Sequence, residues 1–149
     1  MENEDTLCPD AEALRLDRQL CFPLYAASRE VIKQYYPFLE QLDLTYTQYV
    51  TMMVVWEEKR LTAGALGKRL FLDSGTLTPV LKKLAEKGLV TRCRSEDDER
   101  NLTVALTDEG RALRGKALDI PGRVGACIPL SAEDAAALYD ILYRLLGML

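Results

Sequence analysis

The cysteines are the residues of this chain best suited to carry out chemistry. There are four, Cys8, Cys21, Cys93 and Cys127, without the density or paired spacing of a secreted disulfide scaffold. No CxxC pair or Cys/His cluster indicates zinc, so we expect free thiols, no metal and no cofactor. The sequence has no histidine, which excludes Ser-His and Cys-His nucleophilic pairs and argues against an enzyme of the hydrolase type.

Composition predicts one compact domain, residues 1–149, rather than a membrane protein. The 149 residues are 48% hydrophobic and 28% charged, which is enough to form a core. No apolar run approaches 18 residues, and the acidic segment of residues 1–5 is unlike the basic start of a signal peptide. We therefore expect a cytoplasmic protein with no membrane partner.

Charge is unevenly distributed along the chain, although the net charge is -4. Residues 66–94 contain seven Lys and Arg against two Asp and Glu, and residues 57–116 contain 13 against 10. The remaining residues carry six against 13. A locally basic region on an acidic protein is typical of a DNA-binding module joined to a separate assembly region.

Hydrophobic periodicity predicts a mainly α-helical fold with a small β wing. We predict helices over about 12–36, 45–58, 62–69, 74–87, 107–118 and from 131 onward, with a hairpin formed by 89–94 and 102–106. The first helix should end before Pro37 and kink at Pro23, whereas Pro121 and Gly122 should interrupt the chain. This order predicts a winged helix-turn-helix over about 45–118, flanked by dimerisation helices over about 12–44 and 119–149.

The predicted helix over 74–87 has the pattern of a recognition helix. Leu77, Leu81 and Leu84 form its buried stripe. The other faces carry hydroxyl groups and lysines suited to phosphates and base edges, and the candidate DNA contacts are Ser74, Gly75, Thr76, Thr78, Pro79, Lys82 and Lys83. An ordinary surface helix also places lysines opposite leucines, but the basic-flanked hairpin that follows favours a DNA-binding module.

Several strings in this region resemble a known family. Leu72–Pro79, Arg94–Arg100 and Leu106–Gly110 are similar to segments of the MarR family of regulators. Together with Gln19–Phe22, Leu24–Arg29 and Leu44–Tyr49, they resemble its organic-peroxide-sensing branch, the OhrR regulators. The resemblance covers residues from about 14 to 147. It implies a homodimeric transcriptional repressor that binds double-stranded operator DNA, with an organic hydroperoxide as the inducer.

The resemblance also implies roles for two wing residues and for two cysteines. Arg100, oriented by Asp98, would enter the minor groove, where a narrow groove attracts arginine; the alternative is a surface salt bridge. Cys21 would be the peroxide-reactive thiol, and Cys127, expected in a loop between the last two helices, would be its resolving partner. The alternatives are a small buried hydrophobe for Cys21 and an inert loop thiol for Cys127. We assign no role to Cys8 or Cys93.

By the same resemblance, Tyr35 and Tyr46 are the hydroxyl partners of Cys21. Two phenol donors would stabilise the thiolate, which is the form that attacks a peroxide. Fourteen residues of continuous helix span about 21 Å, so Tyr35 would have to come from a second subunit unless that helix breaks. Apolar Leu20, Phe22 and Leu24 would favour an organic hydroperoxide over hydrogen peroxide. Two alternatives stay open: release by a small aromatic ligand between the helices, or a thiol peroxidase that uses Cys21.

Overall fold

The computed structural model describes residues 12–94 and 101–149, which form seven α-helices and three strands. The helices are α1 (Cys21–Leu39), α2 (Tyr46–Glu58), α3 (Ala63–Leu70), α4 (Ser74–Glu86), α5 (Asp108–Ala117), α6 (Ile120–Cys127) and α7 (Ala132–Met148). The strands are β1 (Arg60–Thr62), β2 (Val90–Arg94) and β3 (Leu102–Leu106). Short 3-10 turns, Leu16–Arg18 and Glu40–Leu42, precede and follow α1. The mainly α-helical fold with a β wing is confirmed.

Side-chain caps fix where most of the helices begin. Thr45 caps α2, and Gln48 returns a bond to the Thr45 backbone, so that a complete capping box forms. Asp73 accepts the Thr76 amide at 2.8 Å and starts α4. At the other end of α4, Gly88 adopts a φ of 73°, a left-handed conformation that suits glycine after a helix. The predicted bounds of α2 and α4 are therefore right to within a residue or two.

The wing is a three-stranded antiparallel sheet in the order β1-β3-β2. The predicted hairpin is present, with Val90 opposite Leu106 and Arg94 opposite Leu102. Strand β1 was not predicted from the sequence, because three residues are too few to show an alternating pattern. This strand joins the wing to the helix-turn-helix, since it lies between α2 and α3 and pairs with β3.

One hydrophobic core supports the helix-turn-helix and the wing. Its most deeply buried apolar members come from α1, α2, α3, α4, α6 and β3, and they are Leu39, Met52, Val55, Leu66, Leu81, Leu84, Val104 and Val124. Trp56 donates from Nε1 to the Gly110 carbonyl at 2.7 Å, which ties α2 to the start of α5. The predicted buried stripe of α4, Leu77, Leu81 and Leu84, is confirmed.

The predicted bounds of the first helix were wrong at both ends. It begins at Cys21 and continues through Pro37 to Leu39. Pro23 is its third residue, where a backbone N–H has no partner within the helix, so the proline removes no helical bond. Pro37 lies in the last turn and removes one bond there. Burial of Leu39 in the core favours continuation of the helix past that point.

The expected interruption at Pro121 and Gly122 was also wrong. Both residues lie in α6, with Pro121 in the first turn, where its fixed φ favours a helix. Ile120 and Val124 of α6 are buried. Cys127 is consequently the last residue of a helix and not part of a loop.

Two glycines of α5 give a matched test of this packing. A Cβ on Gly110 would lie 2.1 Å from the Leu89 carbonyl oxygen, whereas a Cβ on Gly115 would meet nothing within 4 Å. We expect Gly110→Ala to lower the free energy of unfolding by about 1–3 kcal/mol or more, because backbone must move. Gly115→Ala should raise it by about 0.5–1 kcal/mol. Urea unfolding at one protein concentration measures both, and equal effects would contradict the packing described.

Candidate DNA interface and thiol site

All seven predicted contacts on α4 lie on the solvent side of the helix. Ser74, Gly75, Thr76, Thr78, Pro79, Lys82 and Lys83 are exposed. The opposite face is buried against the core, so the helix is held firmly while its polar side stays free. This is the arrangement that a recognition helix needs in order to enter a groove.

Hydrogen bonds order the first turn of that exposed face. Asp73 accepts both the amide and the hydroxyl of Thr76, and these bonds lower the pKa of its carboxyl group. Thr78 donates from its hydroxyl to the Ser74 carbonyl at 2.7 Å. Two of the side chains that would meet DNA, Thr76 and Thr78, are thus already oriented by local bonds.

The two lysines of this face differ in their surroundings. Lys83 lies 3.3 Å from Glu86 in an exposed ion pair. Such a pair contributes little to stability, so another anion can readily replace Glu86 as the partner of Lys83. Within residues 12–94 and 101–149, Lys82 has no ion-pair partner. Both ammonium groups are therefore accessible to a phosphate backbone.

The wing adds further basic side chains. Arg92 and Arg94 are exposed on β2, and the strand pairing runs to Arg94 and Leu102. The predicted minor-groove residues, Asp98 and Arg100, lie outside the described residues. Their roles remain predictions from the sequence.

Tyr35 and Tyr46, the two tyrosines that the resemblance assigns to the thiol site, lie against each other. Their ring centroids are 4.9 Å apart in an edge-to-face contact between α1 and α2. Tyr49, which was not predicted to belong to the site, joins them at 5.9 and 6.4 Å. Its position one turn after Tyr46 on the same helix was the available signal.

The tyrosines are suited to donate hydrogen bonds. Desolvation raises the pKa of Tyr35. The pKa of Tyr46 is raised mainly by desolvation and, to a smaller extent, by the electrostatic effect of the neighbouring Tyr35. Both phenols are consequently neutral O–H groups at physiological pH. Among the described residues, neither hydroxyl has a hydrogen-bond partner, so both can serve a group from outside the chain.

Cys21 is far from these tyrosines within one chain. It is the first residue of α1, and the unbroken helix places it about 21 Å along the axis from Tyr35. Its side chain is exposed, and the neighbouring Leu20 is 85% exposed. Phe22 and Leu24 are also exposed, so the thiol lies among apolar side chains that no part of the described chain covers.

The other described cysteines lie on α6 and on the wing. Cys127 is exposed, and its Sγ lies 3.4 Å from the Arg123 carbonyl one turn earlier. Cys93 is exposed on β2 opposite Thr103. Cys8 lies outside the described residues. The structure thus brings the two predicted tyrosines together, whereas the length of α1 keeps Cys21 away from Tyr35 of the same chain.

Apolar surface is concentrated at the two ends of the described chain. Near Cys21 the exposed side chains include Leu14, Leu16, Phe22, Leu24 and Tyr25. No residue of α7 is buried, and its exposed side chains include Leu138, Tyr139, Ile141, Tyr143, Leu145 and Leu146. Apolar surface on this scale is typical of an interaction surface. Among the described helices, none combines the length and the hydrophobicity that a membrane span requires.

Comparison with known proteins agrees with this arrangement. Residues 33–116 match the family described as transcriptional regulator SarA/Rot. The chain is 48% identical over 136 residues to the organic hydroperoxide resistance transcriptional regulator of Bacillus subtilis strain 168, covering 91% of this chain and 92% of that protein. It is 46% identical to the HTH-type transcriptional regulator SarZ of Staphylococcus saprophyticus, over 85% of this chain and 87% of that one.

Solved structures of AbfR in reduced and disulfide forms are also similar. Reduced AbfR bound to DNA superposes with a TM-score of 0.75 at 34% identity, covering 94% of this chain and 98% of that one. AbfR is a protein of Staphylococcus epidermidis. Its disulfide form superposes with a TM-score of 0.61 at 34% identity, over 93% and 94% of the two chains.

Helix α4 has one buried face and one polar, exposed face; it follows the short helix α3 and a turn, and the β wing follows it. This arrangement defines a winged-helix DNA-binding regulator. The similar proteins show to which family of such regulators the chain belongs. The chain belongs to the MarR family of transcriptional regulators, in the organic-peroxide-sensing branch.

Proposed function

We propose that this protein is a dimeric repressor that binds operator DNA while Cys21 is reduced, and that leaves it when an organic hydroperoxide oxidises Cys21. One observation carries the proposal: the hydroxyls of the Tyr35–Tyr46 pair have no hydrogen-bond partner among the described residues, and the pair lies too far from the exposed Cys21 of its own chain. A second subunit would bring the two halves of the sensor together. The protein would act in the cytoplasm beside its DNA, without catalytic turnover.

The DNA-binding part rests on the exposed face of α4. Two such helices related by a two-fold axis would meet half-sites about one helical turn apart in a near-palindromic operator. Ser74, Gly75, Thr76, Thr78 and Pro79 would approach base edges or phosphates, while Lys82 and Lys83 would neutralise phosphates. DNA-bound AbfR, with 34% identity, supports this use of the fold.

The proposal of a dimer is supported by the exposed apolar side chains near Cys21 and along α7. These side chains lie in the two terminal regions that the sequence predicts to be dimerisation helices. Their burial between two copies would stabilise the association by the hydrophobic effect. It would also cover Leu20, Phe22 and Leu24 and form an apolar entrance to the thiol that suits an organic hydroperoxide.

The sensing step is a transfer of one oxygen atom. The Cys21 thiolate attacks the terminal peroxide oxygen, the O–O bond breaks, and the thiolate becomes a sulfenic acid while the peroxide leaves as an alcohol. Hydrogen bonds from Tyr35 and Tyr46 of the partner subunit would stabilise the thiolate. Conversion to a sulfenic acid would alter those bonds and thereby the contact between the subunits.

Cys127 gives a prediction about the next step. Its exposed thiol would condense with the sulfenic acid of Cys21 in the other subunit, releasing water and forming an intersubunit disulfide. We expect wild-type protein treated with cumene hydroperoxide to form a reducible covalent dimer, and Cys127→Ser to form none. Intact mass should then show Cys127→Ser proceeding to sulfinic and sulfonic forms.

Cys93→Ser is the matched control for this experiment, because Cys93 is also exposed but lies on the wing. It should crosslink like the wild type. A covalent dimer that persists in Cys127→Ser would remove Cys127 from the mechanism and direct attention to Cys8 or Cys93.

A second candidate is release by a small aromatic ligand. A cleft of about 650 Å³ between α1, α2 and α4 supports it, with Tyr36, Tyr46, Lys83 and Lys87 in its lining. Under that reading a ligand would release the operator from fully reduced protein. The third alternative, a thiol peroxidase, predicts turnover with a thiol reductant and no operator binding.

A gel shift on the DNA upstream of the protein's own gene tests the proposal. Reduced protein should bind as a dimer with an affinity that falls steeply with salt, stoichiometric cumene hydroperoxide should release it, and dithiothreitol should restore binding. Monomeric or salt-independent binding would contradict the DNA-binding proposal. Binding that persists in fully oxidised protein would contradict the redox proposal.

A further inference from the structure

The C-terminal end of the recognition helix is bonded to the start of the helix that carries Tyr46. Lys87, which follows α4, donates from Nζ to the Asp43 carbonyl, and the same ammonium group lies 3.1 Å from the Asp43 carboxylate. It also donates to Gln48 Oε1 at 3.3 Å. Three oxygens from the segment before α2 and from its first turn therefore surround one ammonium group.

Gln48 joins this ammonium group to the residues on either side of Tyr46. The side-chain oxygen of Gln48 also accepts a hydrogen bond from the Thr45 backbone N–H at 3.2 Å, and the Gln48 backbone N–H donates to Thr45 Oγ1 at 3.2 Å. Tyr46 lies between these residues as the first residue of α2. Because Gln48 is only 7% exposed, water cannot readily replace these bonds.

The ion pair between Lys87 and Asp43 adds little to the stability of the protein. The carboxylate of Asp43 is 89% exposed, and a surface ion pair of that kind contributes about 0–1 kcal/mol. The Asp43 carbonyl oxygen and Gln48 Oε1 differ from that exposed carboxylate. The first belongs to the backbone just before α2 and the second to a buried capping residue, so both move only with the first turn of α2. The bonds from Lys87 therefore fix where the end of α4 lies relative to Tyr46.

The end of α4 is also attached on its other side. Thr107, the N-cap of α5, donates from its hydroxyl to the Gly88 carbonyl at 2.7 Å. The same hydroxyl accepts the Gly110 amide at 3.0 Å. The end of the recognition helix is thus held between the tyrosine region, through Lys87, and the start of α5, through Gly88.

We propose that Lys87 is a positioning residue that couples the Tyr35–Tyr46 pair to the recognition helix. This inference rests on the proposed function and concerns its regulation. Oxidation of the thiol bound by Tyr46 shifts the first turn of α2, Gln48 and the Asp43 carbonyl move with it, and Lys87 transmits that shift to α4. Without the ammonium group, oxidation still occurs but moves the recognition helix less.

The test compares Lys87→Met with Lys83→Met in the full-length dimer. Both lysines lie at the end of α4 and line the same cleft, but only Lys87 contacts Asp43 and Gln48. For each protein, the operator Kd is measured in the reduced and the peroxide-oxidised form, together with the rate of oxidation of Cys21. The ratio of the two Kd values reports coupling, because a uniform loss of DNA contacts cancels from it.

We expect Lys87→Met to lower the ratio of oxidised to reduced Kd by at least about tenfold, within the range of allosteric couplings, while oxidising within about twofold of the wild-type rate. Lys83→Met should weaken both forms equally and keep the wild-type ratio. If Lys87→Met keeps the wild-type ratio, the inference is wrong. If wild-type protein is fully oxidised and shows no loss of affinity, the proposed function is wrong instead.

A second pair of variants keeps the test decisive if Lys87→Met folds poorly. Gln48→Glu preserves the cap and the acceptor for Lys87, so its ratio should stay near the wild-type value. Gln48→Met removes that acceptor and should lower the ratio. A wild-type ratio in Gln48→Met would overturn the inference without any use of Lys87→Met. Where Lys87→Met does fold, Gln48→Met in that background should cause no further drop, because the two residues form one link, and independent, additive losses would also overturn the inference.

Discussion

Replacement of Cys21 by Ser is expected to abolish the response to organic hydroperoxide and leave operator affinity of the untreated protein within about twofold. A serine hydroxyl is similar in size and can still bond to a phenol, but at neutral pH it does not form the nucleophilic anion that attacks a peroxide. The variant should therefore remain on its operator at peroxide concentrations that fully release the wild type.

The measurement is the fraction of operator bound across a cumene hydroperoxide titration, with intact mass recorded on the same samples. Cys93→Ser controls for loss of an exposed thiol outside the sensor and should release like the wild type. Full release of Cys21→Ser by peroxide would show that another residue is the sensor.

Replacement of Arg100 by Ala is expected to remove most of the operator affinity, by about 10- to 100-fold, with little change in melting temperature. The reason is the predicted insertion of this arginine into the minor groove, where its charge meets strong negative potential. Fluorescence anisotropy with a labelled operator, repeated at several salt concentrations, gives both the affinity and its salt slope.

Arg69→Ala is the control of equal charge. The guanidinium of Arg69 already bonds to Glu57 and Glu58 at 2.8 Å each, so its removal should change operator affinity by no more than a few fold. If Arg100→Ala instead unfolds the protein while DNA contacts are unchanged in the folded fraction, Arg100 belongs to a structural salt bridge.

The sequence was sufficient wherever local chemistry decides the structure. Thr45, Asp73, Thr107 and Ser131 each place an oxygen where a helix must begin, and each caps a helix in the structure. The stripe of Leu77, Leu81 and Leu84 likewise predicted which face of α4 is buried. These features depend on residues within one or two turns of each other.

The sequence was insufficient where tertiary packing decides. The effects of Pro37 and Pro121 depend on their position within a helical turn and on the burial of Leu39 and Ile120, which no local pattern reveals. The bonds from Lys87 to Asp43 and Gln48 join residues about 40 positions apart, so a surface lysine gave no sign of them. Tyr49 lies one turn after Tyr46, but its contact with Tyr35 depends on how α1 packs against α2.

The continuous α1 helix has one further consequence for the sensor. Cys21 and Tyr35 of one chain cannot meet across about 21 Å of helix, so the proposed sensor site needs Cys21 from one subunit and Tyr35 and Tyr46 from the other. Under this proposal, a variant in either half would damage a site shared with the partner. Mixed dimers can separate the two halves, which no homodimer does.

The most direct test is the peroxide reaction rate of a mixed dimer. One chain carries Cys21→Ser, and the other carries Tyr35→Phe and Tyr46→Phe, with different tags for purification. The remaining Cys21 then faces both intact tyrosines if the site is shared between subunits, and neither if it lies within one chain. Intact mass measures the rate at which that cysteine is oxidised, and we predict a rate per site close to that of the wild type. If the mixed dimer instead reacts as slowly as the Tyr35→Phe, Tyr46→Phe homodimer, the account is contradicted.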